Sequence, residues 1–101
     1  MSIQLSGSQR RYLRAEAHQL KAVVQVGKQG VSSQVVAQIA SAFDAHELIK
    51  VQYPAEREEK EGLVDLLQDR LGAVCAGIVG HVLILYRRHP DPDQRRYSLP
   101  S

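Results

Sequence analysis

The 101-residue chain has little with which to build a cross-link, a metal cluster or a stacking platform. Its one cysteine, Cys75, excludes an intramolecular disulfide and a cysteine-based metal centre. Cys75 lies in an apolar stretch, where a structural thiol is expected rather than a nucleophile. His18, His46, His81 and His89 are scattered, and no pair has the spacing of a zinc site on a helix or hairpin. Neither a metal nor a cofactor is expected. Tryptophan is absent, and the aromatic set is one Phe and four Tyr. Phe43, Tyr53 and Tyr86 occupy core-like positions, which leaves too few rings for a base-stacking surface. No apolar run approaches the roughly 18 residues that span a bilayer. The basic residues up to Arg14 are not followed by the apolar segment of a secretory signal. A cytoplasmic protein with no membrane partner is the expectation.

Enzymatic signals are equally scarce. Asp65 with Asp69, and Glu58 with Glu61, have spacings that a solvated helix face also requires. No Ser-His-Asp or Cys-His ordering resembles a nucleophilic site. Neither an enzyme nor a small-molecule substrate is expected.

What is present suits one packed domain: 44% hydrophobic and 24% charged residues can form a core and solvate it. The net charge of +2 is unevenly spread. Residues 1–31 carry Arg10, Arg11, Arg14, Lys21 and Lys28 against Glu16 alone. Residues 32–72 carry four basic groups against eight acidic ones. Residues 73–101 return to excess base, with Arg87, Arg88, Arg95 and Arg96 against Asp91 and Asp93. If the basic ends meet in space, the fold has a positive side of the kind nucleic acids require.

Ser6 with Gln9 reads as a capping box, opening a helix from about Gly7 to about His18. Its apolar stripe is Leu13, Ala17 and Leu20, with Arg10, Arg11 and Arg14 largely on the other side. Val23 to Val26 forms a β-branched strand that Gly27 stops. Ser32 or Ser33 then caps a second helix, whose stripe Val35, Ile39 and Phe43 ends near Ala45. Leu48 to Tyr53 alternates with period two, a second strand closed by Pro54. Glu56-Arg57-Glu58-Glu59 places acid where a third helix begins. Leu63, Val64, Leu67 and Leu71 supply its buried face, and Gly72 its stop. Ala73–Val79 and Val82–Arg87 form a hairpin about Gly80-His81. The run Val82 to Tyr86 is apolar without alternation, so it is expected to be central and covered on both faces, with the first helix on the face the others leave open. The order helix-strand-helix-strand-helix-strand-strand argues for a single α/β domain with a mixed four-stranded sheet. The first strands are parallel if adjacent. The compact core is expected over about 5–88, with 89–101 as an extended, proline-punctuated tail.

The most informative feature is Gly27-Lys28-Gln29-Gly30, which joins a strand to a helix start. Unpaired N–H groups and the dipole there attract anions. Two glycines permit positive φ and close backbone approach, and Lys28 adds a point charge for a phosphate. The GxxG loop of KH domains uses this device on nucleic-acid backbones. A Walker loop is excluded, because no Gly-Lys-Ser/Thr element is present.

The segment Leu20-Lys21-Ala22-Val23-Val24-Gln25-Val26-Gly27-Lys28-Gln29-Gly30 resembles the opening signature of the CRM family, the chloroplast RNA splicing and ribosome maturation domain. His46-Glu47-Leu48-Ile49-Lys50-Val51 resembles its second signature, and Gly80-His81-Val82-Leu83-Ile84-Leu85-Tyr86-Arg87 its third. Leu99-Pro100 is similar to the tail of the stand-alone bacterial, YhbY-like members. Ala22 departs from the Pro found there in many members. The resemblance implies a fold like the C-terminal domain of translation initiation factor three, with an added N-terminal helix. It also implies RNA binding in precursors of the large ribosomal subunit; a monomer is expected. The loop Gly27, Lys28, Gln29 and Gly30 carries over from the family; Arg10, Arg11, Arg14, Lys21, Arg87 and Arg88 come from the charge pattern. The alternative is a protein-interaction module using the acidic face of the third helix or the tail.

Overall fold

A strand apolar at every position needs cover on both sides, and the Val82–Tyr86 strand has it. The computed structural model describes residues 4–27 and 29–100. Its elements are α1 (Gly7–Ala17), β1 (Ala22–Gln25), α2 (Ser33–Ala45), β2 (Leu48–Gln52), α3 (Arg57–Leu71), β3 (Val74–Val79) and β4 (Val82–Tyr86). A short 3-10 turn, Pro92–Gln94, follows. The sheet runs β1-β2-β4-β3, with β1 parallel to β2 and the other pairs antiparallel. The expected α/β domain with a mixed four-stranded sheet is the observed one.

The alternation of side chains divides the sheet into two faces. Ile49, Val51, Leu83 and Leu85 point to the layer of α2 and α3, where they meet Ile39, Phe43, Leu63 and Leu67. Leu48, Ile84 and Tyr86 point the other way, onto Leu13 and Ala17 of α1. Helix one therefore covers the face that the other helices leave open, as its apolar stripe requires. Phe43, Tyr53 and Tyr86 are all buried.

Local chemistry sets the boundaries. Ser6 and Gln9 form the full capping box of α1, and the Ser32 hydroxyl accepts from Val35 N–H at 3.2 Å to open α2. Gly72 ends α3 with φ 67°. Gly80 takes φ 58° in the hairpin, while among the described residues no other residue type has positive φ, which fits a turn with glycine at its first central position. β1 begins one residue before Val23 and stops before Val26, although Val26 N–H still donates to Gln52 C=O at 2.8 Å. On α3, Leu63 and Leu67 are buried, Val64 and Leu71 partly so, and Lys60 joins them. Lys60 buries its stem and donates from Nζ to Gly80 C=O at 2.7 Å, tying α3 to the hairpin.

Residues beyond β4 fold back onto the domain. Tyr97 and Leu99 pack against the α1-side cluster, and Gln9 Nε2 donates to Pro100 C=O at 2.9 Å. The two ends of the chain thus meet through polar and apolar contacts. Buried Glu47 holds this return: Oε2 accepts from His89 N–H at 2.8 Å, and Oε1 accepts from Arg96 N–H.

Candidate nucleic-acid interface

The glycine loop leaves an edge strand and runs into the N-terminus of α2. Gly30 N–H donates to Gly27 C=O at 3.0 Å, a tight turn that Gly30 closes with φ 77°. A Cβ on Gly30 would lie 3.6 Å from the Tyr53 hydroxyl. Gly27 differs from the expectation for both glycines: its φ is not positive, and a Cβ there would meet nothing within 4 Å. Among the described residues of the turn, Gly30 is the left-handed one. Lys28 lies outside the described residues. Gln29, between the two glycines, is exposed.

The surroundings give the loop a direction. On one flank the Tyr53 hydroxyl reaches Glu59 Oε2 at 3.4 Å, and Glu56 and Glu58 stand in the same turn of α3. Burial and then the Glu59 charge push the Tyr53 phenol up from its ordinary range. On the other flank α1 ends early and leaves part of its sheet face open. There Arg14, His18, Lys50, Val79, Val82 and Ile84 line a shallow cavity of about 250 Å³. Val23 and Val79, 50% and 59% exposed, are the most open large apolar side chains of the sheet.

The charge-derived candidates do not form one patch. Arg14 Nη1 donates to Ala76 C=O at 3.0 Å, and its stem passes where a Gly77 side chain would stand, 2.7 Å from an added Cβ. Arg10 and Arg14 share a groove along β3 with Arg57, Glu61 and Asp65, so acid from α3 faces them. Arg11 and Lys21 are exposed, with Lys21 just before β1 and a strand's length from the loop. Arg87 and Arg88 lie at the opposite pole. Val26 N–H bonds to Gln52 at one end of β2, whereas Arg87 N–H bonds to Glu47 C=O before its other end. Five residues of β2 separate the poles by roughly 17 Å.

Sequence reasoning missed Arg70, His89 and Arg95, which the fold gathers beside Arg87 and Arg88. They are distant in the chain, and no local pattern joins them. It also missed Gly77, whose place inside a strand was the available signal for a close approach. Cys75 is half-buried, donates to Gly77 C=O at 3.3 Å, and has its thiol pushed up by burial. Among the described residues, no group of three His, Cys, Asp or Glu side chains is placed to hold a metal ion. No helix among them is long and apolar enough to cross a membrane.

A three-layer α/β domain whose edge strand runs through a glycine turn into a helix start defines a small scaffold class. Residues 5–87 match the model of the CRS1 / YhbY (CRM) domain, and the chain belongs to that family. It is 38% identical over 97 residues to an RNA-binding protein of Haemophilus influenzae, covering 95% of each chain. It is 36% identical over 91 residues to YqeI of Bacillus subtilis, named a probable RNA-binding protein, covering 89% of this chain and 95% of that one. The solution structure of a Staphylococcus aureus protein superposes with a TM-score of 0.79 at 28% identity, over 96% of this chain and all of that one.

Proposed function

We propose that the protein binds RNA through the Gly27–Gly30 loop and the adjoining open sheet face, without chemistry of its own. Its proposed place is the cytoplasm, as an assembly factor on precursors of the large ribosomal subunit. The observation that carries the loop reading is Gly27. Its backbone does not use positive φ and its Cβ position is empty, so the fold itself has no need of glycine there. A ligand backbone approaching the N–H groups at the start of α2 does need that space. The carboxylates of Glu56, Glu58 and Glu59 turn a phosphate chain away from α3 and toward Lys50 and His18. The relatives named for RNA binding support the ligand class. The ribosomal assignment rests on the family resemblance in the three sequence signatures.

Two measurements test this. Gly27→Asp should keep its thermal midpoint and lose about tenfold or more in RNA affinity by filter binding, because charge and bulk enter the phosphate path. Unchanged affinity removes the loop from the interface. Tagged protein should co-sediment with immature large subunits at low magnesium, and much less with mature ribosomes. Sedimentation wholly in the unbound fraction, with normal subunit profiles in a deletion strain, overturns the ribosomal part alone.

A further inference from the structure

The pole opposite the loop carries an unused feature. Arg70, Arg87, Arg88 and Arg95 converge with His89 on a groove of about 480 Å³, floored by Leu71, Gly72 and Pro90. Among the described residues, no carboxylate lines it. Among the described residues, the ion pair present joins Arg57 to Glu61, on the other side of the molecule. The nearby acids are engaged elsewhere. Glu47 turns inward to two backbone N–H groups, and Asp91 caps its own short turn through Asp93 N–H at 3.0 Å.

Two of the four guanidinium groups are held in place. Arg87 lies 5.7 Å over the Phe43 ring centroid, and Arg95 Nε donates to His89 C=O at 2.8 Å. The Glu47 bonds fix the backbone from which Arg88 and Arg95 project. A helix C-terminus attracts about half a positive charge, so the end of α3 does not account for four guanidiniums. The Glu47 carboxylate behind this segment carries a single charge, which four guanidiniums outnumber. Such an excess is stabilised when an anion joins it, and guanidinium matches phosphate in a bidentate geometry.

We infer that this groove is a second phosphodiester site, so that one domain holds two RNA segments, one at each pole of the sheet. The inference rests on the RNA-binding reading above. The poles are roughly 17 Å apart along β2, about twice the screening length of ~8 Å at physiological salt. They therefore act as separate sites, and their contributions to salt dependence add.

The probe is a single-stranded RNA oligonucleotide of about four nucleotides, the short end of single-domain site sizes and too short to occupy both poles at once. Native mass spectrometry should find two oligonucleotides per chain at saturation. Arg70 and Arg88 are both exposed, so the Arg70→Ala/Arg88→Ala double variant should keep the wild-type thermal midpoint. It should bind one oligonucleotide, with a log-log salt slope smaller by roughly 1.4 to 1.8. Gly27→Asp should also bind one, at the arginine groove. Saturation of the wild type at one oligonucleotide, with unchanged slope in the double variant, overturns the second site and leaves RNA binding intact. Loss of all binding in the double variant also overturns it, because the arginines then belong to a single site. A wild type that binds no RNA overturns both readings.

Discussion

The two poles of the sheet, both proposed to hold phosphate, carry opposite helix dipoles. At the loop pole α2 and α3 begin, and their N-termini favour anions before any side chain contributes. The loop can therefore rely on glycine and backbone N–H groups. At the arginine pole α2 and α3 end, and their C-terminal carbonyls repel phosphate. Several guanidiniums are needed there to reverse the local potential, and the fold supplies four around one groove. Backbone suffices where the dipoles help; side-chain charge is required where they oppose. The poles also differ in support. The loop hangs on the covalent path from β1 to α2, whereas the arginine pole depends on one buried carboxylate.

That dependence gives the largest expected effect. Glu47→Ala removes both acceptors that hold the returning chain, and hydrogen bonds to a charged group contribute about 1.5 to 3 kcal/mol each. Urea denaturation should show a loss of about 3 kcal/mol, softened because the exposed return segment can hydrate. Glu47→Gln keeps one acceptor and should lose about half as much. The folded variant should keep its RNA affinity at the loop and lose it at the arginine groove. A stability within about 0.5 kcal/mol of wild type would show that the return segment is held by Tyr97 and Leu99 instead.

Glu47 also marks where sequence reasoning stops. Features written in neighbouring residues were legible: the Ser6–Gln9 box, the Gly72 stop, the hairpin at Gly80, and the central place of β4 from its unbroken apolar run. Each follows from local steric or hydrogen-bonding rules, or from a periodicity. Glu47 reads locally as a polar residue before a strand, and only the return of residues 89 and 96 reveals two donors for it. Arg14 reads as a solvated helix charge until Gly77 of a distant strand gives it a seat. The candidate loop was visible as four consecutive residues. The arginine groove was not, because α3, β4 and the return segment each supply part of it.

The two loop glycines should separate stability from binding. Gly30→Ala forces a side chain into φ 77° and should destabilise the protein by about 1 to 2 kcal/mol. The added Cβ makes only an ordinary contact with Tyr53, so backbone strain is the main cost. Gly27→Ala meets no such strain and should be neutral, or stabilise by up to about 1 kcal/mol through the unfolded chain. RNA affinity should rank them the other way when Gly30→Ala is assayed well below its melting temperature. Equal stability losses would mean that Gly27 also has a structural task and would remove the observation on which the loop reading rests.

The smallest effect is expected at Lys28, the one charge within the glycine loop. Lys28→Ala removes a single ammonium and should leave stability within about 0.5 kcal/mol of wild type. If that ammonium neutralises one phosphate, the log-log salt slope of RNA binding should fall by about 0.7 to 0.9. The affinity difference should narrow as salt rises, because counterion release is what the contact contributes. An unchanged slope would mean that the loop pole works through backbone N–H groups and the dipole of α2 alone. That result would sharpen the contrast with the arginine pole, where the double variant is expected to lose about twice as much slope.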